Sequence, residues 1–111
     1  ASTDLGVAVN KGKLRFTRVV SLHLIEELYA IRPGKKGRVV VGARVTLSDL
    51  RQAMKKAVPE FARFLDIFAS PQIKNVATLV GNVANGSPIG DTPPFLLVAN
   101  AVVRIVGSST K

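Results

Sequence analysis

The stretch that most restricts this chain is residues 70–94, SPQIKNVATLVGNVANGSPIGDTPP. It holds four prolines, three glycines (Gly81, Gly86, Gly90) and three asparagines (Asn75, Asn82, Asn85). Such a density of breakers predicts a long ordered connection. Connections longer than about 12–15 residues in a compact domain are usually functional. Ile73, Val76, Leu79, Val83 and Ile89 are apolar and call for burial, which argues for order. An ordered loop must find partners for its backbone N–H groups. Glycine lets a ligand come close to the main chain, and Thr and Asn add donors. No acid falls between Asp66 and Asp91, so nothing in the loop repels an anion. The combination suggests a backbone nest for phosphate or pyrophosphate. A packed irregular loop with local asparagine turns fits the same residues.

Upstream, Ser2, Thr3 or Asp4 can cap a helix whose first turns run from Leu5 to Val9. Residues 18–22 read as a short strand, and residues 25–28 as a single helical turn. Two further strands, 29–32 and 38–43, flank Pro33-Gly34-Lys35-Lys36-Gly37, a hairpin with a longer loop. Thr46 followed by Asp49 is a capping box with Asp in place of the usual Glu. Leu47, Leu50, Met54, Ala57 and Val58 then recur at helical spacing. Pro59 ends that helix and opens another, in which Phe61, Phe64, Leu65 and Phe68 form an apolar stripe directed at a core. Asp91-Thr92-Pro93-Pro94 starts a short buried helix over residues 95–99. Residues 101–106 are a strong β run interrupted only by Arg104, and residues 107–111 are a turn.

With 111 residues the chain has room for one domain. Apolar residues make up 47% and charged residues 21%, values of a folded chain rather than a disordered one. Basic residues outnumber acidic ones 16 to 7, and residues 1–56 hold +8 of the +9 net charge. Lys11, Lys13, Arg15, Arg18, Arg32, Lys35, Lys36, Arg38, Lys55 and Lys56 read as a solvated face and a hairpin tip, or as a surface for a larger partner carrying acidic groups. Nucleic acid is an improbable partner, because no aromatic stacking platform accompanies the charge. There is no cysteine, which excludes a disulfide framework, a thiolate zinc site and a cysteine-ligated cluster within the chain. That usage fits a reducing cytoplasm. No apolar run reaches the length of a membrane span, and the N-terminus lacks both Met and the pattern of a signal peptide. His23 is the only histidine, so no nucleophile–base triad or metal site can be assembled.

Residues 68–91 resemble the flavin signature of the molybdenum hydroxylases, the xanthine dehydrogenase family, whose pattern is I-R-N-x-A-T-x-G-G-N-x-x-x-x-S-P-x-x-D. The N-terminal Ser2-Thr3-Asp4-Leu5-Gly6 is similar to the end of that family's first flavin loop. Gly42-Ala43 and Val45-Thr46-Leu47-Ser48-Asp49 match its middle. The resemblance implies an α+β fold, part of a two-lobed FAD-binding domain of the vanillyl-alcohol-oxidase (PCMH) type. It implies that Ser2, Thr3, Asp4 and Leu5 belong to a first pyrophosphate loop, and that Phe68 lies by the isoalloxazine ring. Thr78, Leu79, Val80, Gly81 and Asn82 would form a second loop on the FAD phosphates and ribitol, with Ala77 packed nearby. Asp91 would accept from the ribose or adenosine side.

By the same resemblance no catalytic acid or base resides here. Electrons would reach FAD from a molybdopterin centre through 2Fe-2S clusters on partner domains or subunits, and pass to NAD+ or another acceptor. Lys74 replaces the pattern's Arg. Val80 replaces its first glycine, a costly exchange if the backbone there needs a positive φ. Measured against the family, the chain starts inside the first loop and stops before the domain's last strands and helix. It is therefore expected to be a domain fragment, and a rival reading is a non-catalytic basic module that binds no flavin.

Overall fold

The computed structural model describes residues 3–107. Six helices and one two-stranded sheet follow in the order α1 (Thr3–Asn10), β1 (Ile31–Pro33), β2 (Val39–Val41), α2 (Leu47–Ala57), α3 (Pro59–Ile67), α4 (Pro71–Lys74), α5 (Leu79–Asn85) and α6 (Thr92–Val98). A 3-10 turn at Glu26–Tyr29 precedes β1, and another at Lys35–Gly37 forms the hairpin tip. This is a small mixed α+β unit.

The core forms around α2 and α3, the pair with the clearest amphipathic spacing. Leu47, Leu50 and Met54 come from α2, and Phe61, Ala62 and Leu65 from α3. Val45, Ala77 and Leu79 complete the buried set. Fully burying a Leu or Phe side chain contributes about 1.5–3 kcal/mol, so these few residues dominate the stability. Phe61, Phe64, Phe68 and Phe95 stack in series, with ring centroids 4.5–5.8 Å apart, and fasten α6 to α3.

The hairpin has the expected arrangement in shorter form. Ile31 pairs with Val41 and Pro33 with Val39, antiparallel. The loop closes through the Gly34 amide donating to the Arg38 carbonyl at 2.7 Å. Lys36 and Gly37 take positive φ there, 56° and 71°. Ile31, Val39 and Val41 pack against the core.

Several expectations are corrected. Residues 18–22 form no strand and are exposed, and neither do residues 101–106. Val102, Val103, Ile105 and Val106 all lie largely in solvent. β-Propensity reflects packing against neighbours, and neither segment has a hydrogen-bonded strand beside it. The 70–94 region is not one long loop. It is three short helices, each starting at a Ser, Thr or Asp, with Pro in the first turn of two. The breakers there act as helix boundaries rather than as a veto on helix. Burial was overestimated as well: Leu79 is buried and Val83 packs on the core, but Ile73, Val76 and Ile89 are exposed. In α6 Thr92 is buried and Phe95 and Leu96 pack against the core, while Leu97 and Val98 are exposed.

Candidate functional site

Two threonines organise the region. Thr46 caps α2 and Thr78 caps α5, and the two pair as an antiparallel bridge. The Leu47 amide donates to the Ala77 carbonyl at 2.9 Å beside it. The two helices therefore start from one point. They differ electrostatically. In α2 the Thr46 hydroxyl accepts from the Asp49 amide at 3.1 Å and donates to the Asp49 carboxylate at 2.6 Å, so that N-terminus already has its anion. The first turn of α5 has no acid.

Around Thr78 the backbone is partly self-satisfied. The Thr78 hydroxyl accepts from the Gly81 amide at 3.0 Å, and the Thr78 carbonyl accepts from the Asn82 amide at 3.0 Å. The Val80 amide has no partner among the described residues. Val80 is helical and takes no positive φ, so a β-branched side chain costs little there. The tight position is Gly81, where a Cβ would lie 2.9 Å from the Thr78 hydroxyl oxygen. Thr78, Ala77 and Leu79 are buried, while Val80 and Gly81 face solvent.

Asn82 is half-buried. Its Oδ1 accepts from the hydroxyl of Thr92, a fully buried residue at the start of α6. Its Nδ2 has no partner among the described residues. Asp91, directly before Thr92, is exposed, and its carboxylate makes no capping bond. Thr92 thus brings the Asn82 and Asp91 positions onto adjoining elements, although ten residues of sequence separate Asn82 from Thr92. Its role was not legible in the sequence; the signal was a Thr placed before a Pro-Pro helix start.

The other candidates lie apart. Phe68 caps the C-terminus of α3 and stacks on Phe64. Thr3, Asp4 and Leu5 form the first turn of α1, a helix that buries no residue. No hydrogen bond or ion pair joins them to residues 77–82 among the described residues. Ser2 lies outside the described residues. A hollow of about 420 Å³ lies between Leu5, Gly6, Val9 and Asn10 of α1 and Phe16, Arg18 and Val19. A second, of about 240 Å³, is lined by Lys55, Pro59, Ala62, Arg63 and Asp66. Neither reaches the Thr78 turn. Among the described residues no three His, Asp or Glu side chains gather as metal ligands, and no helix is long and apolar enough to cross a membrane.

Comparison with known proteins bears on this geometry. Residues 1–111 match the family model described as the FAD binding domain in molybdopterin dehydrogenase. The chain is 28% identical to the xanthine dehydrogenase/oxidase of Gallus gallus over 99% of its own length and 9% of that protein's. It is 30% identical to xanthine dehydrogenase 2 of Arabidopsis thaliana, with 95% and 8% covered. It is 28% identical to the xanthine dehydrogenase FAD-binding subunit of Escherichia coli O157:H7, with 93% and 36% covered. The chain therefore spans under a tenth of the first two relatives and about a third of the bacterial subunit.

Proposed function

The chain belongs to the family of FAD-binding domains in molybdopterin dehydrogenases, and from that premise we propose that Thr78–Asn82 receive the diphosphate of FAD within a xanthine dehydrogenase-like enzyme. The observation that supports this assignment is the start of α5. It offers a helix N-terminus without an acid in its first turn, a Val80 amide without a partner among the described residues, and the Asn82 amide group as a side-chain donor. A diphosphate suits such donors, since backbone N–H groups at a helix start favour negative charge. Asp91, exposed and without a capping role, suits a hydroxyl donor of the ribose or adenosine side. Phe68, at the end of the stacked phenylalanines, offers an apolar surface for the ring system.

The chain's own residues bind and orient; none is assigned as an acid or base. FAD held by Thr78–Asn82 would supply the redox chemistry, which in such an enzyme would link iron–sulfur clusters on other domains or subunits to NAD+ or another acceptor. Thr3, Asp4 and Leu5, with Ser2, would contribute the other pyrophosphate loop of a two-lobed domain. Site assembly would then require α1 to meet the α5 turn.

The test is flavin binding by the purified protein, read as fluorescence quenching during titration with FAD and, separately, with riboflavin. The proposal predicts that FAD binds at least about tenfold more tightly, equivalent to 1.4 kcal/mol from the diphosphate and adenosine. Equal affinity for the two would reject a diphosphate site.

A further inference from the structure

Lys74 is the one charged side chain in the buried set of the described residues, with 8% of its surface exposed. It forms no ion pair there. Its Nζ donates to the main-chain carbonyls of Leu65 and Asp66, at 2.9 and 3.1 Å. Those carbonyls belong to the last turn of α3, where helix carbonyls lose their intrahelical partners and a cation is favoured. The Asp66 carboxylate is occupied by Arg51. Lys74 therefore reaches back from α4 and closes the end of α3.

The turn that Lys74 spans is constrained. Ala69, between the Phe68 cap of α3 and the Ser70 cap of α4, takes a φ of 57°. A non-glycine residue keeps such a backbone only when its surroundings impose it. Lys74 brackets it: its amide donates to the Ser70 carbonyl at 2.9 Å while its Nζ holds α3. Beyond Lys74 the chain is anchored to α2. Asn75 Oδ1 accepts from the Ser48 hydroxyl at 2.6 Å, and the Ala77 carbonyl accepts from the Leu47 amide at 2.9 Å. Thr78 follows directly.

We infer that Lys74 is a positioning residue for the flavin site, fixing Phe68 at the end of α3 relative to the Thr78–Asn82 turn by closing α3 onto α4. This inference rests on the proposed function for its flavin readout, but it also has a consequence that needs no flavin.

The experiment compares wild type with Lys74→Met, which removes the donors at similar length, and Lys74→Arg, which keeps them. Each protein is assayed for FAD affinity and bound-flavin spectrum at a temperature where its far-UV circular dichroism is that of the wild type. The inference predicts about tenfold weaker FAD binding and an altered flavin band for Lys74→Met, with Lys74→Arg within about twofold of wild type. A folded Lys74→Met that holds FAD as wild type does would overturn it, as would an Arg variant no better than Met. The second arm is amide hydrogen exchange without FAD. Exchange at Ala77 and Leu47 should accelerate about tenfold in Lys74→Met; unchanged protection there overturns the positioning role. A wild type that binds no FAD would reject the flavin reading and leave the exchange arm to decide the role of Lys74. Should Lys74→Met not fold, Lys74→Gln takes its place under the same thresholds.

Discussion

Asn82 and Thr78 occupy neighbouring turns of one short helix but hold different things. The Thr78 hydroxyl works within α5, accepting from the Gly81 amide. Asn82 joins α5 to α6 through the hydroxyl of Thr92, which is fully buried. Replacing Thr78 with Val removes a cap, a loss of about 1 kcal/mol. Replacing Asn82 with Ala leaves the Thr92 hydroxyl buried and unpaired, a loss of about 1–3 kcal/mol, and also removes a donor assigned to FAD. Urea unfolding should therefore rank Asn82→Ala below Thr78→Val, and FAD retention on a desalting column should fall further for Asn82→Ala. Equal FAD retention by both variants and the wild type would count against the diphosphate assignment. Gly81→Ala forces a Cβ to 2.9 Å from the same Thr78 oxygen. The cap must then shift, and a stability loss near that of Thr78→Val is expected from chemical denaturation.

At the scale of elements, what the sequence made legible was what local chemistry decides. Thr46 with Asp49, Pro59 after Val58, and the Leu47–Leu50–Met54 spacing announced α2 and α3, and both helices lie at those positions. The Pro-Gly-Lys-Lys-Gly run announced the hairpin. The misreadings occurred where partners decide. Residues 101–106 have β-branched composition but no strand to bond with, and the short helices of 70–94 are held by caps and by contacts with α2 and α3 rather than by length. The Thr46–Thr78 bridge joins residues far apart in sequence, and the Lys74 closure joins two separate helices across a turn, so no periodic pattern could show them. Gly42 is the clearest case of such a hidden constraint. A Cβ there would overlap the Leu28 carbonyl oxygen, in the place where the Gly42 and Arg44 amides bond the Ala30 and Leu28 carbonyls at 2.9 and 2.7 Å. Gly42→Ala must push the 3-10 turn off the hairpin. Its thermal unfolding midpoint should drop by several degrees, with amide exchange at Gly42 and Arg44 becoming fast.

Over the whole molecule, stability is concentrated in the small α2–α3 core, while residues 3–30 bury no side chain. Leu50 is fully buried between these helices, and Leu50→Ala should cost about 2–5 kcal/mol in denaturant unfolding, a large share of what a domain this size possesses. The resemblance carried by residues 68–91 made the flavin family legible, and the family match over residues 1–111 agrees with it. The grouping of Thr78, Asn82 and Asp91 through Thr92 comes from packing and was not legible in the same way. The central claim is that the start of α5 receives the FAD diphosphate, and titration of 15N-labelled protein with FAD tests it at single amides. The amides of Val80, Gly81 and Asn82 should show the largest shifts, and pyrophosphate alone should move the same resonances in the same direction. Saturating FAD that leaves those three amides in place while shifting others would contradict the account.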